Sequence, residues 1–250
     1  DDFELEESKK SLRWLKDSVD VRLLDESTRL SYDLYVQGIK DQISDDRYRL
    51  YSFPLNQMFG MQSEIPAFLI NMHRISDVSD AEAYVARLNG VKALFDQLIL
   101  NMRDREAAGI IAPKFVFEHV LFDSRNVISG YPFSGKDSSA IFKDFHGKVQ
   151  RIKASSADKN RLLKEAEVAL NSSVKPAYDA LIAMVEELAE TYDESDGVWR
   201  FKNGPRFYQT ALNRTTTTTM TSDQIHELGL KEVKRIHGEM EVIKNKVGFE

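Results

Sequence analysis

Cysteine is absent from this chain of 250 residues, which excludes disulfides, thiol nucleophiles and zinc sites built on thiolates. No stretch approaches the roughly 18 uninterrupted apolar residues of a membrane span. No Lys/Arg run lies beside aromatic residues, and the net charge of -6 is acidic. That balance disfavours broad nucleic-acid binding, because counterion release needs a basic footprint. The Gly-x-Ser-x-Gly elbow of serine hydrolases is missing, and so is a glycine-rich nucleotide loop. What remains is an ordinary globular composition, 42% apolar and 30% charged, in a chain long enough to bury a sizeable core. Its acidic start, Asp1 to Glu7 without an initiator Met, reads as a mature chain from which any targeting signal has been removed.

Helical periodicity dominates. Ser79 with Glu82 three residues on has the form of a capping box. Tyr84, Leu88, Val91, Phe95, Leu98 and Met102 then recur at steps of four and three, which aligns them as one apolar stripe. Asp96, Arg103 and Asp104 are left to face water. Gly109 closes the segment, and Pro113 suits the first turn of the next helix. A second segment starts near Asp158 and carries Leu163, Ala166, Leu170 and Val174. Asn171-Ser172-Ser173 before Pro176 predicts a restart, giving two consecutive helices, because proline is tolerated only in a first turn. Tyr178, Leu181, Val185 and Leu188 continue the apolar face.

Thr221 with Gln224 caps a last helix, in which Val233, Ile236, Met240, Ile243 and Val247 form a stripe ending near Gly248. Such a stripe needs a partner surface, supplied by earlier helices or by further polypeptide. Weaker helical patterns cover Ser8 to Asp17, Ser27 to Ile43, Ser63 to His73, Lys114 to Ile128 and Ser138 to Ile152. The expected fold is all-α, several long antiparallel helices with at most a short β-hairpin over residues 197–203. Gly197 to Phe201 is the best strand candidate, and the β-branched run Thr215 to Thr219 suits extended backbone. The loop from Ser129 to Asp137, with Gly130, Pro132 and Gly135, is the candidate internal boundary.

Chemistry is thinly signalled. His226-Glu227 begins the His-Glu-x-x-His zinc pattern, but residue 230 is Leu, so an amphipathic helix start explains the pair better. His237 and Glu241 read as a solvated helix face. His119, between Phe115 and Phe122 at helical spacing, is expected to be a buried, hydrogen-bonded histidine. His73 and His146 have no convergent partner in sequence and receive no role. Glu186-Glu187 and the Glu239/Glu241 pair solvate helix faces. The aromatic cluster Trp199, Phe201, Phe207 and Tyr208 is read first as core packing, with a cleft edge as the rival reading.

Three blocks then stand out: Gly204-Pro205-Arg206-Phe207-Tyr208, Leu212-Asn213-Arg214-Thr215-Thr216, and Thr221 to Val233 followed by Ile236 and Glu239-Met240. Together with Ala86-Arg87-Leu88-Asn89, Gly109-Ile110 and Pro113-Lys114, they resemble the amino-terminal half of the bacterial family called domain of unknown function 885, over most of residues 30 to 250. The resemblance implies a fold like that of helical zinc metallopeptidases of the neurolysin and carboxypeptidase Taq kind. It also implies export or lipid anchoring, periplasmic or on the outer surface. Zinc, on a His-Glu-x-x-His motif, would belong to a carboxy-terminal half, which would be the partner of residues 1–250. No residue here matches the motif, so no catalytic or metal role is carried over. Tyr208, Arg214, Thr215 and Thr216 are the candidate substrate-binding residues, able to hydrogen-bond a peptide backbone or terminal carboxylate. The rival reading is a stand-alone helical binding or scaffold protein using the Trp199 to Tyr208 surface.

Overall fold

The stripe of Tyr84, Leu88, Val91, Phe95, Leu98 and Met102 is the buried face of a 30-residue helix, α4 (Val78–Ala107). The computed structural model describes residues 2–191 and 196–249. They form an all-α array, with one isolated bridge between Tyr131 and Ser138. The chain divides into two units, Asp1–Glu194 and Ser195–Glu250.

In the first unit, α1 (Asp2–Ser18) packs on α2 (Glu26–Asp45) ahead of α3 (Met61–Ala67) and α4. Next come α5 (Lys114–Val127), α6 (Ala140–Arg151), α7 (Ser156–Ala169) and α8 (Lys175–Glu190). The α4 stripe meets α7 and α8, and α8 also packs on α5. Phe95 and Tyr178 stack there with ring centroids 4.8 Å apart. Asp77 caps α4 by accepting from the Asp80 N–H at 3.0 Å. The expected Ser79/Glu82 box therefore lies inside the helix, because Asp77 reaches the free N–H groups first. Gly109, at φ +72°, closes α4 as its position suggested, and Lys114 opens α5 directly after Pro113. The Ser129 to Asp137 loop joins α5 to α6 within this unit. Gly130 is required in it, since a Cβ would meet the Asp137 carbonyl at 2.6 Å while φ is +80°.

A wide turn lies beside two of the prolines, after Pro66 and before Pro176. Pro66 has no N–H for the carbonyl of Gln62, four residues back. The hydroxyl of fully buried Tyr178 donates to that carbonyl instead, at 2.7 Å. Directly after Ala67 the chain makes a π turn, Phe68–Met72. The expected restart before Pro176 is likewise a π turn, Leu170–Val174, running from α7 into α8 without a break. Its Lys175 N–H reaches back five residues to Leu170. The widened turn shifts the hydrogen-bond ladder before the proline ring arrives, where an α turn would clash.

In the second unit, Val198–Arg200 forms a 3-10 turn where a strand was expected, followed by α9 (Gly204–Thr216) and α10 (Ser222–Val247). Gly204 explains the difference. A Cβ there would lie 1.6 Å from the Val198 carbonyl, so the segment folds back on the helix start and cannot extend. The Thr215 to Thr219 run is split, with α9 ending at Thr216 and Thr217 left-handed at φ +53°. Thr221 and Gln224 form the expected capping box of α10, and Gly248 ends it at φ +67°. No residue of α10 is buried: Val233, Ile236, Met240, Ile243 and Val247 are all 44% or more exposed.

Candidate functional site

The π turn after α3 delivers His73 in extended backbone against the first turns of α4. Its ring is buried. Nε2 lies 3.0 Å from the Asp80 carbonyl oxygen, and Nδ1 meets Nη1 of Arg87. A carbonyl only accepts and a guanidinium only donates. Nε2 therefore carries the proton, and Nδ1 accepts from Arg87. Burial, then the positive charges of Arg87 and Lys148, hold the imidazole pKa below its usual value against the opposing pull of the Asp80 carbonyl. The neutral ring fixes one end of the guanidinium.

Behind His73 lies a largely buried polar cluster. Tyr84 packs 4.9 Å from the His73 ring and 4.8 Å from Phe145. Its hydroxyl faces Asp144 Oδ2 at 3.5 Å, and burial first, then the Asp144 charge, pushes the phenol pKa far up, so it stays neutral. Lys148 Nζ pairs with Asp144 at 2.7 Å and donates to the carbonyls of Leu69 and Ile70 at 2.9 and 2.8 Å. Lys148 thereby ties α6 to the π turn, whose carbonyls need outside donors.

Arg87 also borders a groove of about 430 Å³ between α3, the π turn and α4. Ile65, Leu69 and Val91 line it, with Phe68 and Leu94 at its rim and Gly90 leaving it open. Glu64 and Arg87 are the charged residues of its wall. The Arg87 guanidinium carbon sits 5.5 Å from the Phe68 ring centroid, a cation–π geometry. Among the described residues no carboxylate lies within ion-pair range of Arg87. The arrangement is a fixed, uncompensated cation at the edge of an apolar trough.

The residues anticipated from sequence lie elsewhere, on the second unit. Tyr208 and Thr215, seven positions apart on α9, share one face about 10 Å apart, while Arg214 lies about a third of a turn round the helix. Thr216 Oγ1 donates to the Leu212 carbonyl at 2.8 Å and bonds Thr218 Oγ1 at 2.9 Å. Tyr208 is 47% exposed. The aromatic cluster splits: Phe201 is buried, Phe207 half-buried, and Trp199 exposed with its ring against Gly197. His119 is exposed and not buried, as are Phe115 and Phe122. The inward face of α5 is Val116, Phe117, Val120 and Ser124, which turns His119 outward. His226 and His237 are exposed on α10. Among the described residues no three His, Asp or Glu side chains converge to hold a metal ion. Sequence reasoning passed over His73 and Arg87, because their contact spans fourteen positions and two elements. The signal available was Arg87 within the Ala86-Arg87-Leu88-Asn89 block.

Among the described residues no helix is long and apolar enough to cross a membrane. No match is found among curated proteins. Among solved structures, the chain is similar to one titled as the crystal structure of the putative lipoprotein from Colwellia psychrerythraea, with a TM-score of 0.82 at 20% identity over 97% of this chain. At that identity the likeness is one of fold, and this chain spans 43% of that protein's length. The family described as bacterial protein of unknown function, DUF885, matches residues 1–250, and the chain belongs to it.

Proposed function

We propose that this chain is the amino-terminal scaffold half of an exported, zinc-dependent, peptidase-like hydrolase. On this reading it holds substrate and leaves the reaction to residues beyond the 250 described by its sequence. The observation that carries the reading is α10. Its 26 residues form a capped helix with an apolar stripe, yet none of them is buried. Exposed apolar surface on this scale marks a mating face, and the similar solved protein has more than twice the length matched. That protein's description as a lipoprotein supports export or surface anchoring. The peptidase character, and the likeness to neurolysin and carboxypeptidase Taq, rest on the sequence blocks around Tyr208 and Arg214. These residues would line one wall of the cleft, with Tyr208 and Thr215 presented on one face of α9. No residue among those described is assigned a step at a metal.

The test is to purify the product of the whole gene, measure its metal content and offer it a mixed peptide library. About one zinc per chain, with peptide cleavage lost on chelation and restored by zinc, is the expected result. A product with neither metal nor cleavage contradicts the reading and favours the stand-alone binding protein.

A further inference from the structure

We propose that the groove between α3 and α4 receives the apolar carboxy-terminus of a peptide, with Arg87 holding the terminal carboxylate. The proposal deepens the peptidase reading and rests on it for the substrate class. Three features of the site select this occupant. The first is size and lining: about 430 Å³ with apolar walls takes one or two apolar side chains. Gly90 keeps the trough open, since nothing lies within 4 Å of where its Cβ would be.

The second feature is Arg87. Of its five N–H donors, the one on Nη1 that meets His73 is spent, and the ring of Phe68 lies beside the guanidinium carbon. The remaining donors match a carboxylate, which pairs with guanidinium through two parallel hydrogen bonds. Because His73 is neutral and its other nitrogen is tied to the Asp80 carbonyl, the guanidinium is held before the ligand arrives. His73 is thus a positioning residue, and the entropy of fixing a long side chain is met in the fold itself.

Glu64 is the third feature. It is the acidic group of the same apolar wall. A fatty acid tail laid over Glu64 would desolvate it with no hydrogen bond in return. A peptide brings N–H donors along its backbone, so it can compensate that carboxylate where a plain hydrocarbon cannot. The Arg87 charge and the hydrogen-bond need of Glu64 together select a peptide acid over a lipid acid.

The test is calorimetric titration of the intact protein with N-acetyl-dileucine as its free acid, with the same peptide as its carboxamide, and with decanoate. The free acid is expected to bind at least ten-fold more tightly than the carboxamide or decanoate. Arg87→Gln should remove that preference. His73→Gln should weaken the free acid while leaving the carboxamide unchanged, which a general loss of structure would not do. Gly90→Leu fills the trough and improves helix propensity, so it should abolish binding with the melting temperature kept or raised. Equal affinity for acid and carboxamide, decanoate binding as well as the peptide, absence of peptide binding, or full binding by Gly90→Leu would each overturn the proposal. Binding without cleavage by the whole-gene product would uphold this groove and remove the hydrolase reading. Cleavage with no binding to the groove would do the reverse.

Discussion

A histidine whose Nε2–H is committed to a carbonyl has one lone pair left, and at His73 that lone pair is committed to Arg87. Protonating the ring would replace the acceptor with a second donor facing a cation. The folded-state pKa lies below the ordinary value, so the unfolded chain binds its proton first as pH falls. Stability from this group is therefore complete above about pH 6.5 and is lost as pH drops below it, levelling off once the folded ring itself protonates. Arg87, Lys148 and Asp80 face the ring from α4 and α6. We expect the melting temperature of the natural protein to fall more steeply between about pH 7.5 and pH 5.5 than that of His73→Gln. Parallel curves would show that His73 does not bind its proton differently in the two states. None of this was visible along the chain, because a residue's partners across helices leave no local pattern. His119 shows the converse error. Flanking phenylalanines suggested burial, yet the inward face of α5 is set by Val116, Phe117 and Val120, about a hundred degrees away.

Periodicity decides elements well where packing follows it, and the α4 stripe is the clearest case: every member anticipated is buried. The Thr221 capping box also forms as its spacing indicated. Prolines were harder to read. Pro176 signals an interruption, but whether the chain stops or widens depends on what the displaced backbone meets. At the second π turn it meets α4, where Ser173 Oγ accepts from the Lys92 N–H at 3.1 Å and donates to the Asn89 carbonyl at 3.0 Å. One hydroxyl thus bridges two helices at a buried position. Ser173→Ala should destabilise the protein by about 1–2 kcal/mol in urea unfolding, since two hydrogen bonds to the α4 backbone are lost from a buried side chain. A change within about 0.5 kcal/mol would mean that the α4 backbone is satisfied without it. At Gly197 to Phe201, alternation suggested a strand, but the approach of Gly204 to the Val198 carbonyl forces a tight turn.

For the whole molecule, fold class and family membership were legible in the sequence, the one from helical spacing and the other from the Gly204 to Val233 blocks. The division into Asp1–Glu194 and Ser195–Glu250 was not. The glycine- and proline-rich Ser129 to Asp137 loop drew attention as a boundary, but it is a turn between α5 and α6. The groove at Arg87 also escaped, being assembled from α3, the π turn and α4. The central claim at this scale is that further polypeptide covers the stripe on α10. These 250 residues hold no cysteine, so a thiol introduced among them can be followed by mapping the labelled peptide. Met240→Cys lies in the stripe and Asn245→Cys on the opposite side of the same helix, both exposed among the described residues. In the whole-gene product, maleimide should modify Met240→Cys at least a hundred-fold more slowly than Asn245→Cys. Equal rates at the two positions would show the stripe bare, and the account of this chain as one half of a larger hydrolase would fail.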